Sequence, residues 1–65
     1  METIKYYVIY NILRNGYYCE RGVKSFWEPD VLKADRYKTL NEAKEVKRWF
    51  YKNEVEIKTI TVEIR

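Results

Sequence analysis

Histidine is missing from this chain of 65 residues, and cysteine and proline occur once each, as Cys19 and Pro29. Without histidine the chain lacks the commonest general base and the commonest metal ligand of proteins. A lone cysteine excludes an intramolecular disulfide and, without histidine, argues against a zinc site or a Cys–His nucleophile. We therefore expect a non-enzymatic protein with no cofactor, no bound metal and no small-molecule substrate.

Long apolar runs are also absent, because no segment approaches the roughly 20 apolar residues of a membrane-spanning helix. The first residues, Met1-Glu2-Thr3, lack the basic start of a signal peptide, and no apolar segment follows them. We expect a cytoplasmic protein that does not associate with membranes. The net charge of +3 permits nucleic-acid binding without requiring it.

Aromatic side chains are abundant, with seven tyrosines, two tryptophans and two phenylalanines. A chain of this length forms a single domain, residues 1–65, and buries only about 60% of its unfolded surface. A few large rings can supply most of such a thin core. The remaining rings must then be exposed, where tyrosine and tryptophan commonly anchor protein interfaces.

The segment from Thr3 to Leu13 alternates at period two and predicts a strand with one strongly apolar face. Asn15-Gly16 predicts a two-residue hairpin turn into a second strand. That turn would place Cys19 in the core as a small apolar residue. The register that follows sets Leu13 against Tyr18, Ile12 against Cys19, Tyr10 against Arg21, and Val8 against Val23.

A capping box, Thr39 with Glu42, predicts the start of a helix that runs to about Lys52. Helical spacing places a core-facing stripe on one side and basic residues on the other. The core-facing stripe is Ala43, Val46 and Phe50, with Leu40 and Trp49 at its edges.

Residues 54–65 predict a last strand, whose apolar positions change phase along its length. Either a bulge near Lys58-Thr59 or a central position in the sheet, with both faces partly covered, would explain the change. We expect this strand beside the first one, and a parallel pairing with a right-handed crossover is one arrangement that the connection allows. Whether Arg36-Tyr37-Lys38 forms a strand stays open.

These elements define an α+β domain of the order β-β-turn-β?-α-β. Its sheet has three to four mainly antiparallel strands, and one α-helix packs on one face. Trp27, Pro29 and Asp30 form the corner before the helix, with Asp30 as an acid at the start of a short helical turn. The acids around this corner, Glu28, Asp30 and Asp35, alternate with bases and favour a solvated surface over a catalytic pair.

Two surfaces are candidates for function. The first is aromatic and would contact a protein or a second copy of the chain. The second is the basic helix face, where cations could contact phosphates and nearby rings could stack on bases. The protein-contact candidates are Tyr7, Tyr17, Tyr18, Trp49 and Tyr51. The nucleic-acid candidates are Lys44, Lys47, Arg48 and Lys52.

The run W-E-P-D-V-L-K-A-D-R-Y-K-T-L-N-E-A resembles a pattern of small phage and prophage accessory proteins. The matching positions are Trp27, Asp30, Ala34, Tyr37, Thr39, Glu42 and Ala43. The resemblance covers most of the chain and implies a tight hairpin, a capped helix and a closing strand. Some phage proteins of this size block host defence by binding a nuclease or its guide complex. The resemblance therefore implies a protein partner in the host cytoplasm.

Residues 37–43, Y-K-T-L-N-E-A, are also similar to the helix start of small DNA-binding domains of phage integrases and the AP2 type. In those domains a sheet enters the major groove and the helix packs behind it. The hairpin bases that would serve this role are Lys5, Arg14, Arg21 and Lys24. Nucleic-acid binding, through the hairpin or the basic helix face, is therefore the alternative function.

Overall fold

The computed structural model describes residues 2–50 and 52–64. Within these residues, the strands form one antiparallel sheet of order β3-β2-β1-β4, and one α-helix packs on it. The predicted α+β class is confirmed. The elements are β1 (Glu2–Asn11), β2 (Gly16–Arg21), β3 (Lys24–Glu28), a single 3₁₀ turn (Val31–Lys33), α1 (Leu40–Lys47) and β4 (Val55–Ile64).

The last strand lies beside the first, as predicted, but it runs antiparallel to β1 and makes no parallel crossover. Ten residue pairs follow one another without interruption from Glu2–Ile64 to Asn11–Val55, so the predicted bulge at Lys58-Thr59 is wrong. The alternative of a central strand is also wrong, because β4 lies at the edge of the sheet. The phase change arises because the two ends of β4 are covered on different faces. Val55 packs on the helix side of the sheet, and Ile60 packs on the opposite side.

The first hairpin has a four-residue loop, residues 12–15, and not a two-residue turn. A shift of four residues from the predicted register follows, and it keeps each side chain on its predicted face. Cys19 is therefore buried, as predicted, whereas Val23 is fully exposed in the turn between β2 and β3. The observed pairs are Tyr10 with Tyr17 and Asn11 with Gly16.

Asn11 explains the longer loop. It is fully buried, and its Oδ1 accepts a hydrogen bond of 2.9 Å from the Arg14 N–H inside the loop. Its Nδ2 donates to Glu54 Oε1 at 2.9 Å, which joins the loop to the start of β4. A buried polar side chain is costly unless it is paired. The loop conformation brings the Arg14 N–H to Asn11 Oδ1, whereas a two-residue turn would place Arg14 in the extended strand, away from Asn11.

β1 and β2 separate beyond their two pairs, and a wedge segment, residues 34–38, fills the gap. Tyr37 exchanges two backbone hydrogen bonds of 2.9 Å with Tyr7 of β1. On the other side, the Asp35 N–H donates to Tyr18 O at 3.1 Å, and Asp35 Oδ2 accepts from the Glu20 N–H at 2.9 Å. Residues 36–38 thus contribute one isolated bridge at Tyr37 and no strand.

Helix α1 begins as predicted, because Thr39 Oγ1 accepts from the Glu42 N–H at 3.2 Å. The Glu42 carboxylate reaches back to the Lys38 N–H at 3.3 Å, one residue before the predicted partner. The helix ends at Lys47, five residues earlier than predicted, since the chain tightens there into i→i+3 hydrogen bonds. The Trp49 N–H donates to Val46 O, and the Phe50 N–H donates to Lys47 O.

Both faces of β1 are covered. Tyr6 and Val8 pack with Ala34 on one side, and Ile9 packs on the other side beneath α1. The helix therefore covers the less apolar of the two predicted faces, and the 3₁₀ turn with Ala34 covers the more apolar one. No α-helix within residues 2–50 and 52–64 is long and apolar enough to cross a membrane.

Candidate nucleic-acid interface

The predicted basic residues gather at the end of α1. Lys44 and Lys47 lie in the last helical turn, Arg48 caps the helix, and Lys52 follows in the turn that leads to β4. The negative end of the helix dipole favours cations at these positions, so the local fold tolerates their mutual repulsion. The structure thus brings all four predicted nucleic-acid candidates to one place.

These residues line an open depression of about 560 Å³, together with Phe50. Its described lining consists of four cationic side chains and one aromatic ring, with no carboxylate among them. We call this feature the basic depression (Lys44, Lys47, Arg48, Phe50 and Lys52). An anion with an apolar portion fits this combination, since the cations meet the charge and the ring meets the apolar surface.

Phe50 ties the basic depression to the rest of the fold. Its ring lies 5.2 Å from that of Tyr18, edge-on, and 5.2 Å from that of Trp27. Tyr18 and Trp27 are in turn 5.6 Å apart. We call these three residues the aromatic cluster (Tyr18, Trp27 and Phe50). Because two of its members lie on β2 and β3, the cluster anchors the end of α1 to the sheet.

One acidic side chain lies beside the basic depression. Glu45 accepts hydrogen bonds of 3.3 Å from Arg48 Nη1 through both carboxylate oxygens. Both side chains are exposed, and such i,i+3 pairs stabilise a helix by only about 0.2–0.5 kcal/mol. An arriving phosphate can therefore displace Glu45 from Arg48 at little cost.

Trp49 is the most exposed aromatic residue among those described, with 70% of its surface accessible. It lies between Arg48 and Phe50 in the turn that ends the helix. An exposed indole next to a cluster of cations offers a flat surface on which a base can stack, a contact worth about 1–3 kcal/mol per base.

The other protein-contact candidates do not gather into one aromatic surface. Tyr18 is buried within the aromatic cluster and is not accessible to a partner. Tyr7 and Tyr17 are half-buried and lie on opposite faces of the sheet, because Tyr17 shares a face with Tyr10, its neighbour at 4.9 Å. Tyr51 lies outside the described residues.

The hairpin bases are similarly dispersed. Arg14 lies in the loop at one end of the hairpin, and Lys24 lies at the other end, opposite Arg21. Arg21 is already engaged, since its Nη1 is 3.0 Å from Asp35 Oδ1. In the part of the chain that the structure describes, the sheet therefore presents no continuous basic stripe comparable to the basic depression.

The acids of the corner serve the backbone. Asp30 Oδ1 accepts from the Leu32 N–H at 3.0 Å and caps the 3₁₀ turn, as its predicted position at a helix start implies. Glu28 Oε1 accepts from the Asp30 N–H at 3.2 Å.

The Cys19 thiol donates a hydrogen bond to Lys33 O at 3.3 Å in the core. Within the described ranges, no group of three acids, cysteines or histidines could hold a metal ion.

Two tyrosines show raised pKa values. Burial raises the pKa of Tyr37 to about 12, and the charge of Asp35 adds to the effect. Burial also raises the pKa of Tyr18, whose hydroxyl donates to Glu20 Oε2 at 3.2 Å, and the Glu20 charge raises it further. Both rings belong to the packed interior, so these shifts reflect core formation.

No protein-family model, curated protein or solved structure matches this chain. The resemblances to phage accessory proteins and to small DNA-binding domains therefore stay predictions. The geometry of the basic depression is the strongest indication of function that the fold offers.

Proposed function

We propose that this chain is a small non-enzymatic accessory protein that binds nucleic acid through the basic depression. We also propose, from the sequence resemblance, that it is a phage-type protein that acts in the host cytoplasm. One observation carries the binding proposal: four cationic side chains and one aromatic ring line the same depression at the end of α1.

Phosphate neutralisation supplies the main attraction in this proposal. Lys44, Lys47, Arg48 and Lys52 offer up to four contacts to successive phosphates, and each contact releases counterions from the nucleic acid. Single strands suit the site better than a duplex, because their unstacked bases can reach an aromatic surface. Trp49, which follows Arg48 in the chain, supplies an exposed ring, and Phe50 lines the depression itself.

A protein partner is the second candidate function, and the exposed indole of Trp49 favours it. Tryptophan is strongly enriched among the residues that dominate interface energies. The predicted tyrosines do not support this candidate, because Tyr18 is buried and because Tyr7 and Tyr17 lie on opposite faces of the sheet. In this alternative Trp49 inserts into a pocket of the partner, and the surrounding cations face acidic residues.

Fluorescence anisotropy with labelled single-stranded DNA, single-stranded RNA and duplex DNA tests the proposal. We expect the logarithm of the single-strand affinity to fall with the logarithm of the salt concentration, with a slope of about −3 for four phosphate contacts. Lys44→Gln and Lys47→Gln should each weaken binding and reduce this slope by about 0.7.

Lys24→Gln is the matched control, because it removes the same charge at a distance from the basic depression. Equal losses for Lys24→Gln and Lys44→Gln would mean that only the net charge matters. Trp49→Ala should weaken binding to oligonucleotides and leave binding to inorganic polyphosphate unchanged. Absence of binding to every nucleic acid at low salt would reject the proposal and leave the protein-partner candidate.

A further inference from the structure

The distal ends of β1 and β4 form a two-stranded ribbon (residues 2–5 and 61–64) in which every residue is exposed. One face of the ribbon is apolar apart from Glu2, and on it Ile4, Val62 and Ile64 are 51%, 42% and 42% accessible. This face continues into Ile60, which packs against the core. The opposite face carries Thr3, Lys5, Thr61 and Glu63.

β4 is also an edge strand of the sheet, and its hydrogen-bond phase can be derived. The Ile12 N–H donates to Glu54 O at 2.8 Å, so the even-numbered residues of β4 direct their backbone groups towards β1. Tyr7, an odd-numbered residue of β1, bonds to Tyr37 on the other side, which agrees with this phase. The outer edge of β4 thus presents the N–H and C=O groups of Ile57, Thr59, Thr61 and Glu63.

Natural edge strands are usually protected by charges, proline, bulges or cover. On β4 these devices lie in the first half, where Lys58 and Glu56 form an ion pair of 3.7 Å. The second half has one charge, Glu63, and a ladder to β1 without a bulge. Within residues 2–50 and 52–64, no strand pairs with this outer edge.

We propose that a second copy of this chain pairs antiparallel along the outer edge of β4, which joins two four-stranded sheets into one continuous sheet. In a two-fold antiparallel pair, opposite residues lie on the same face. The register centred on Val62 sets Val62 against Val62 of the second copy and Ile60 against Ile64 in both directions. The apolar faces of the two ribbons then form one strip.

Neighbouring registers are less favourable. Centring the pair on Thr61 would set Lys58 against Ile64, and centring it on Ile60 would set Lys58 against Val62. The register centred on Val62 leaves Lys58 beyond the paired segment. On the polar face it places Glu63 opposite Thr61 of the second copy, which lies beside Lys5 in the same ladder. The acid of one copy therefore approaches a base of the other.

The paired segment is short, so the interface is smaller than the ~800 Å² per partner of a standard complex. We therefore expect dimers at protein concentrations on the order of 100 µM. Sedimentation velocity and amide NMR spectra, measured over a dilution series up to about ten times that concentration, test this expectation. The Thr61 and Glu63 amides should shift with concentration, and a monomer throughout the series would overturn the proposal.

Thr61→Pro is the sharpest variant, because it removes an outward N–H and no hydrogen bond to β1. It should abolish the concentration dependence, whereas Thr61→Ala, which keeps the N–H, should retain it. Circular dichroism of both variants checks that the fold persists. Dimerisation of a folded Thr61→Pro variant at the wild-type concentration would contradict edge pairing.

A cysteine pair tests the register. Val62→Cys places the thiols of two copies at a non-hydrogen-bonded pair, where Cα atoms about 4.5 Å apart can form a disulfide. Ile60→Cys is the control, since those residues would lie roughly 13 Å apart along the strands. Oxidation should give a cross-linked dimer for Val62→Cys alone. Equal cross-linking of both variants would reject this register.

Discussion

Trp27→Ala should destabilise the fold and remove no direct contact with a ligand. The indole belongs to the aromatic cluster, within 5.6 Å of the Tyr18 ring and 5.2 Å of the Phe50 ring. Through Phe50 it also fixes the end of α1, which carries the basic depression. Truncation removes the ring that joins β3 to the helix.

The magnitude follows from the packing of Trp27. Tryptophan truncation in a core costs about 3–5 kcal/mol, and the lower end applies because Trp27 is half-buried. A domain of 65 residues has a total free energy of unfolding of about 3–10 kcal/mol. A loss of about 3 kcal/mol therefore removes a large part of the stability.

Urea denaturation followed by far-ultraviolet circular dichroism measures this loss. The free energy of unfolding of a domain this small falls by about 1–1.5 kcal/mol per molar urea, so a loss of about 3 kcal/mol lowers the urea midpoint by about 2–3 M. Trp49→Ala is the matched control, because it deletes the same ring at an exposed position and should change stability by less than about 0.5 kcal/mol. A folded Trp27→Ala variant with an unchanged midpoint would refute the structural role of the aromatic cluster.

Two further predictions concern the core. The pKa of Tyr37 is raised to about 12, so its contribution to stability is complete below pH 10, the ordinary value, and is lost as the pH rises from 10 towards 12. Between urea titrations near pH 9 and pH 11.5, Tyr37→Phe should remove about 1 kcal/mol of this alkaline loss, because solvent screens part of the effect at this partly exposed ring. Equal losses in both proteins would contradict the burial of Tyr37. Gly16→Ala should cost about 1–3 kcal/mol in the same assay, because the added Cβ would lie 2.9 Å from the Cβ of Trp27. Gly22→Ala meets no atom within 4 Å and should show only the cost of positive φ, about 1–2 kcal/mol. A Gly16→Ala variant as stable as the wild type would argue against the clash.

The sequence predicted those features of the fold that depend on neighbouring residues in the chain. The start of α1 follows from the Thr39–Glu42 capping box, and the core-facing stripe follows from helical spacing. The grouping of Lys44 and Arg48 follows from the same spacing. β3 does not follow from these signals, because the register of a two-residue turn continues the second strand through Gly22 to Val23.

Long-range contacts decided the features that the sequence did not predict. The length of the first loop depends on Asn11, whose partner Glu54 lies 43 positions away. Tyr18 is buried beneath α1, whereas Tyr17 packs on the opposite face of the sheet. The sequence does not indicate which of these two faces the helix covers. Phe50 lines the basic depression from the turn after α1, and sequence periodicity alone does not indicate that the helix ends before this residue.

The wedge segment also bears on how the chain acquires its structure. β1 pairs with β2 at only two positions, and its other partners are residue 37 and the whole of β4. Most of the backbone of β1, the first strand to be synthesised, therefore stays unpaired until β4, the last strand, is available. High contact order of this kind slows folding towards the millisecond-to-second range. We expect structure to form after synthesis of β4, in one cooperative step, and the N-terminal half to remain open to chaperones and proteases until then.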